Sequence, residues 1–343
     1  MKRLILIFSI FVVYLSCSED KVVNDNEVKD PLYNLFTYLS PEESGIEFKN
    51  ELRDSALFFV MTYEYAYNGS GVAIGDINND GLQDVYLNSN YESGKLFLNL
   101  GDFKFRNITL QAGVTGGIGL KTGVCMVDLN GDGFLDIYIT KSGRFKEEDV
   151  RKNVLYINNG DLTFHEAAHE FGLDDMSYGT QAYFADIDVD GDLDAYLVNH
   201  PVGWGKQDQL NIDIDDQGKY YIVQDTQRQF ISDRLLINEN GKFKDKSVQY
   251  GIDNVAFGLS AFFGDFNNDN YPDLYVCNDY IAPDALYINQ KGKAYKNEVL
   301  DYFDNISTSS MGSDYFDINN DGNVDIFISD MMSETIGRIR KSR

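Results

Sequence analysis

From Gly71 onward the chain alternates short apolar runs with short polar ones, and the same order of runs keeps returning. An apolar run (residues 71–75) is followed by a nine-residue stretch rich in Asp and Asn, and then by a second run at 84–87. Both runs have the length and composition of strands, so the polar stretch between them reads as a hairpin turn. A third run ends in Asn, at 96–99, 155–158, 235–238 and 286–289. A fourth follows around Phe105, Phe164 and Phe243. Four antiparallel strands in a unit of roughly 50 to 60 residues have the size of a propeller blade. The pattern therefore predicts an all-β chain, a β-propeller of four-stranded antiparallel blades with five recognisable repeats.

The Asp/Asn stretches carry the candidate chemistry. Asp76, Asn78, Asp80 and Asp84 fall at positions 1, 3, 5 and 9 of the first. The same positions hold Asp128, Asn130, Asp132 and Asp136 in the second, and Asp186, Asp188, Asp190 and Asp194 in the third. Asp265, Asn267, Asp269 and Asp273 form the fourth, and Asp317, Asn319, Asp321 and Asp325 the fifth. A hard divalent cation takes oxygen ligands, and such a hairpin, with a backbone carbonyl at position 7, surrounds the ion with them. Carboxylates crowded this closely repel one another unless a cation sits among them, so up to five Ca2+ ions are expected. Position 6 is Gly in four loops and Asn270 in the other, as suits a chain that must turn with positive φ. A helical EF-hand is excluded, because position 12 holds Leu87, Ile139, Leu197, Val276 and Ile328, all inside strand-type runs. Loop four departs most from the pattern, at Asn270 and Pro272.

A formal charge of -26 disfavours nucleic acid and anionic membrane surfaces as partners, leaving protein or glycan ligands. Lys2 and Arg3 precede an apolar run from residue 4 to 15, too short to span a bilayer and suited to an export signal. The stretch Tyr14-Leu15-Ser16-Cys17 resembles the lipobox of bacterial lipoproteins, which implies lipidation at Cys17. Ser18-Glu19-Asp20 is similar to the surface-export signals of Bacteroidetes lipoproteins. The expected organisation is a signal peptide at 1–16, an acidic linker at 17–40 and the propeller at 41–343, on an outer-membrane lipoprotein held to the membrane by its N-terminal lipid. Cys125 and Cys277 lie in apolar runs and read as buried free thiols.

On the loops starting at Asp76, Asp128, Asp186, Asp265 and Asp317, the chain resembles the FG-GAP/VCBS repeat proteins, whose propeller is like that of integrin α subunits. Ser44-Gly45-Ile46-Glu47-Phe48-Lys49-Asn50, Asn278-Asp279-Tyr280, Ser310-Met311-Gly312 and Ser329-Asp330-Met331 resemble recurring phrases of a narrower branch. That branch is related to cartilage acidic protein and carries a terminal ASPIC/UnbV domain. The resemblance implies seven blades and a longer chain, so a truncated product is expected. A five-bladed closure completed by residues 46–50 is the alternative.

Other motifs are weighed against the repeat register. His165-Glu166-Ala167-Ala168-His169 spells a zinc-protease word, but it aligns with Arg106 and Lys244 in a strand and the turn after it. His200 reads as a solvated loop residue. The longest interval between loops, from Asp186 to Asp265, places Trp204, Tyr220 and Tyr221 on an insertion at 200–233, a candidate binding excursion. Residues ending each second strand (88–90, 199–200, 278–280 and 329–331) form a candidate contact rim. With no nucleophile elbow or phosphate-binding glycine loop, the expected function is a non-enzymatic calcium-binding scaffold for protein or glycan. The alternatives are a polysaccharide-lyase-like enzyme and a structural component of an outer-membrane complex.

Overall fold

The computed structural model describes residues 36–331 apart from 53, 55–57, 61, 62, 64, 144, 146, 202–211, 215–219, 223–227, 281 and 308. The expected signal peptide, Cys17 and most of the linker lie outside the described residues. The chain divides into two compact units, Met1–Ser40 and Pro41–Arg343, and every described strand belongs to the second. No helix among the described residues is long and apolar enough to cross a membrane.

The strands form propeller blades, each an antiparallel sheet. Blade 1 is β1 (Val72–Gly75), β2 (Asp84–Leu87), β3 (Lys95–Asn99) and β4 (Phe105–Asn107). Blade 2 is β5 (Leu120–Val127), β6 (Asp136–Ser142), β7 (Val154–Asn158) and β8 (Phe164–Glu166). Blade 3 opens with β9 (Gly179–Ala185) and β10 (Asp194–Asn199), then a separate hairpin of β11 (Ile212–Ile214) and β12 (Tyr220–Ile222) intervenes. It closes with β13 (Arg234–Asn238) and β14 (Phe243–Asp245). Blade 4 is β15 (Phe257–Gly264), β16 (Asp273–Asp279), β17 (Ala285–Asn289) and β18 (Tyr295–Asn297). Blade 5 is described through its first two strands, β19 (Ser310–Phe316) and β20 (Asp325–Asp330).

Period-two alternation decides which residues join one blade to the next. Two residues after the Asp that opens each second strand stands a buried tyrosine: Tyr86, Tyr138, Tyr196 or Tyr275. Its ring lies on the opposite face from the aliphatic residues either side of it. Tyr86 clusters with Ile137 and Ile139 of blade 2, and Tyr138 with Ala195 and Leu197 of blade 3. Tyr196 clusters with Leu274 and Val276 of blade 4, and Tyr275 with Ile326 and Ile328 of blade 5. One rule thus builds every blade-to-blade junction, and each ring withdraws about 150–250 Å² from water. The hydroxyls stay satisfied. Tyr86 and Tyr138 donate to the carbonyls of Val114 and Leu173, at 2.8 and 2.9 Å, while Tyr196 and Tyr275 donate to Asp233 and Asp284, at 2.6 and 2.9 Å.

The innermost strands run side by side around one cavity of about 300 Å³, to which every blade contributes through Gly71, Thr122, Thr180, Leu259 or Met311. Gly71 N–H donates to the Thr122 carbonyl at 2.7 Å, and the Thr122 hydroxyl to the Gly179 carbonyl at 2.8 Å. The Thr180 hydroxyl reaches the Gly258 carbonyl at 3.0 Å. Residues 46–50 form no strand, and the hydrogen bonds they make to the blades go to blade 1: the Glu47 carbonyl accepts from Lys95 Nζ, and Asn50 pairs with Asn90. That pairing removes the alternative in which this stretch completes the last blade.

Candidate metal centre

Each Asp/Asn stretch is the hairpin joining the first and second strands of its blade, and its shape follows from where its first carboxylate finds donors. Asp76 accepts the N–H groups of Asp80 and Gly81 at 3.1 and 2.7 Å, and Asp128 those of Asp132 and Gly133 at 3.2 and 2.8 Å. Asp186, Asp265 and Asp317 accept from the equivalent positions. Wrapping the backbone around this carboxylate demands positive φ at position 6, as the sequence indicates. It demands positive φ at position 4 as well, a requirement that sequence reasoning missed. Position 4 is Asn79, Gly131, Val189, Asn268 or Asn320, with φ of 57°, 72°, 61°, 58° and 58°. Asn and Gly tolerate the left-handed region, and a β-branched valine does not.

The position-9 carboxylates have a second task. Asp84 Oδ2 accepts Ile77 N–H at 3.0 Å, and its Oδ1 accepts Asn99 N–H from the end of the third strand at 2.7 Å. Asp136, Asp194 and Asp273 repeat this clamp with Leu129 and Asn158, Ile187 and Asn238, and Phe266 and Asn289. Asp325 accepts from Ile318 N–H at 3.0 Å. The Asn that ends each third run is thus the partner of the Asp that opens the second. Burial pushes Asp136 up to about 6 and Asp194 up to about 7, against the pull of the two backbone donors. Burial raises Asp84 and Asp273 as well.

Loop three gathers the most charge. Ligand oxygens of Asp186, Asp188 and Asp194 lie within 4.8 Å of one another. Asp188 Oδ1 is buried and has no donor among the described residues, and the same holds for Asp192 Oδ1 at position 7. In loop one the orphan is Asn78 Oδ1, again at position 3. An asparagine at position 3 spreads the load, since its Nδ2 donates to the position-5 carboxylate: Asn78 to Asp80, Asn130 to Asp132, Asn267 to Asp269 and Asn319 to Asp321. Asp188 has no such donor to offer Asp190. Converging oxygens, one of them buried and unpaired, fit a hard cation.

The FG-GAP-like repeat family matches residues 76–139 and 265–328. Each match runs from the first aspartate of one loop to position 12 of the next, so the matched unit is the loop with its flanking strands. These two segments match FG-GAP-like repeats. Two solved structures are similar to it. One is an Agrocybe aegerita lectin whose structure describes recognition of non-reducing terminal N-acetylglucosamine, at 16% identity over 74% of this chain and 58% of that one, with a TM-score of 0.40. The other is the V. cholerae biofilm matrix protein Bap1, at 14% identity over 76% of this chain and 34% of that one, with a TM-score of 0.35. The chain spans less than two thirds of the length of either. No curated protein matches it.

Two expectations need correction, those for His200 and for the contact rim. His200 is no solvated loop residue but is buried between Tyr63 and Tyr65, with ring centroids 5.7 and 4.8 Å away. One ring nitrogen donates to the Pro201 carbonyl at 2.9 Å, so the other accepts from the Tyr63 hydroxyl at 3.3 Å. The residues proposed as a contact rim are mostly buried too. Asn88, Ser89, Asn90, Asn199, Asn278 and Asp279 lie inside, and only Tyr280, Ser329, Asp330 and Met331 reach solvent appreciably. Their side chains are used internally: Asn90 donates to the Gly69 and Lys121 carbonyls, and Asn199 to that of Ser232. His165 sits in β8 and bonds Asn159, whereas His169 lies on the following helical turn and bonds Asp174, each at the surface. Cys125 and Cys277 are free, and burial raises both thiols. In the insertion, Trp204 lies outside the described residues, and residues 220 and 221 belong to the β11–β12 hairpin.

Proposed function

We propose that this chain is a calcium-stabilised, exported scaffold that binds protein or glycan and carries out no chemistry of its own. The observation that carries the calcium reading is loop three, where Asp186, Asp188 and Asp194 converge and Asp188 Oδ1 lies buried without a donor. A bound ion would supply the missing positive charge there, held by those three carboxylates with Asp190, and the other loops would use the same positions. Holding the ion fixes the turn between the first two strands and, through the position-9 clamp, the third strand as well. The chain's own part is to exclude water from one side of the carboxylates and to present the far sides of the blades as a rigid surface. Its negative charge and the lipobox-like stretch ending at Cys17 support a role outside the cell.

Calorimetric titration of the chelator-treated chain tests the metal. Calcium should bind with heat release and magnesium far more weakly, and Asp188→Ala should remove at least one site. Absence of binding at millimolar calcium would defeat the reading. A glycan array probed with and without calcium, with N-acetylglucosamine-terminated oligosaccharides included, tests the ligand class. Release of unsaturated products from acidic polysaccharides would instead identify a lyase.

A further inference from the structure

At one position blade 2 buries two cations where blades 3 and 4 place neutral residues. Lys121 and Lys141 stand directly opposite each other across β5 and β6, at the end of the blade away from the Asp128 loop, and are 0% and 5% exposed. Like charges facing one another across an antiparallel pair repel, and burial strengthens the repulsion. The equivalent pairs are Gly179 with Asn199 and Gly258 with Asn278, so the fold does not require the lysines. No carboxylate answers them. Among the described residues neither forms an ion pair: Lys121 Nζ donates to the Gly117 and Gly119 carbonyls at 3.2 and 3.4 Å, and Lys141 Nζ to that of Ile118 at 2.9 Å. In blades 3 and 4 the N–H at the position of Lys141 is held by a buried aspartate, Asp233 or Asp284, but in blade 2 by the neutral Asn153. Burial lowers both amines to about 8, with Glu92 and Glu166 opposing it from beyond ion-pair distance, so each keeps its proton at neutral pH.

The strap that caps the two amines is mostly glycine. Gly117 is exposed, and a Cβ there would stand 3.3 Å from Lys141 Nζ; one on Gly116 would stand 2.7 Å from Lys121 Cδ. The bare backbone leaves Lys141 Nζ within reach of a group arriving over Gly117. We propose that Lys121 and Lys141 form an oxyanion site, in which a carboxylate or sulfate group seats over Gly117 against Lys141 Nζ and neutralises the pair. Buried charges are costly unless paired, and the bound anion supplies the partner that blade 2 lacks. The anion arrives free from solution or carried on an acidic glycan, with the same chemistry at the amines. The site stands whether or not the loops hold calcium; only its use for a glycan rests on the scaffold reading above.

Thermal melts and calorimetric titration of the full chain, with sulfate, galacturonate or neutral galactose at matched ionic strength, test the site. Sulfate and galacturonate should raise the melting temperature, and galactose or added chloride should not. Lys141→Met keeps the aliphatic stem and removes the charge, and it should weaken anion binding about tenfold or more. Gly117→Ala leaves both lysines in place and sets a methyl group over Lys141 Nζ, and it should do the same. Each variant is read against its own melting temperature without anion, so a change in basal stability does not mask the result, and either variant alone decides. A galacturonate oligosaccharide that binds more tightly than the free sugar acid identifies a glycan as the carrier, whereas equal affinity identifies a free ion. A wild-type chain that melts alike in sulfate, galacturonate and chloride overturns the proposal. So does an anion effect that persists undiminished in Lys141→Met or Gly117→Ala.

Discussion

Val189 is the residue most at odds with its surroundings. It holds a left-handed conformation, with φ of 61°, that three of the other loops assign to asparagine at the same position. Replacing it with Asn should relieve about 1 kcal/mol of backbone strain, seen as a raised melting temperature with calcium affinity preserved. His200 sets a pH dependence. Burial lowers its folded-state value to about 4, from an ordinary value of 6.5. Between those limits the unfolded chain binds more protons than the folded one, so the stability His200 contributes is whole above pH 6.5 and lost as the pH falls toward 4. Asp233 runs the other way, since burial raises it to about 7 despite donors from Tyr196, Asn199 and Asn254. The comparison must therefore be made between variants. His200→Gln, which can still donate to Pro201 and accept from Tyr63, should lose roughly 3 kcal/mol less stability than wild type over that acid range, as read by denaturant titration at several pH values.

At the scale of elements, the blade is held by polar clamps as much as by its apolar faces. The Tyr196 hydroxyl meets a carboxylate that is itself buried, so Tyr196→Phe should leave Asp233 short of one donor and cost about 1–3 kcal/mol, measured by chemical denaturation. Phe at the equivalent position of blade 5, Phe327, carries no such cost, because it faces solvent. One-turn helices follow the fourth strands, and Gly172 closes one of them with φ of 77°. A Cβ there would meet the Phe243 carbonyl oxygen at 2.6 Å. Gly172→Ala should therefore destabilise more than Gly113→Ala, where the nearest atom is 3.7 Å away, a ranking that thermal melts of the two variants would check.

For the whole molecule, the loops and the blade junctions are coupled, because third-strand asparagines whose N–H groups bond the position-9 aspartates, Asn158 and Asn289, also bond a neighbouring blade's loop. Asn158 of blade 2 donates to the Ile77 carbonyl in loop one, and Asn289 of blade 4 to the Ile187 carbonyl in loop three, at 2.8 and 2.9 Å. Loosening one loop therefore loosens the seam to its neighbour. If the loops hold calcium, chelation should lower the melting temperature of the entire blade series in one cooperative transition, with Asp188→Ala reproducing part of the loss. Differential scanning calorimetry with and without chelator distinguishes this from local melting of single hairpins.

Local chemistry was enough to read the strands, the hairpin turns, the blade size and the Asp/Asn positions from the chain alone, because period-two alternation and turn residues act over a few neighbours. The third-strand asparagines were visible as a pattern, but their bond to the position-9 aspartates was not, since it joins residues 15 or more apart. The left-handed fourth position of each loop had a signal, Asn or Gly in four loops of five, that only the wrapped backbone explains. Tertiary structure alone decided the fate of the strand ends and of His200. A polar residue reads as solvated until the blades converge on one axis and the surrounding side chains displace the water, and convergence is a property of the assembled sheets, not of any one segment.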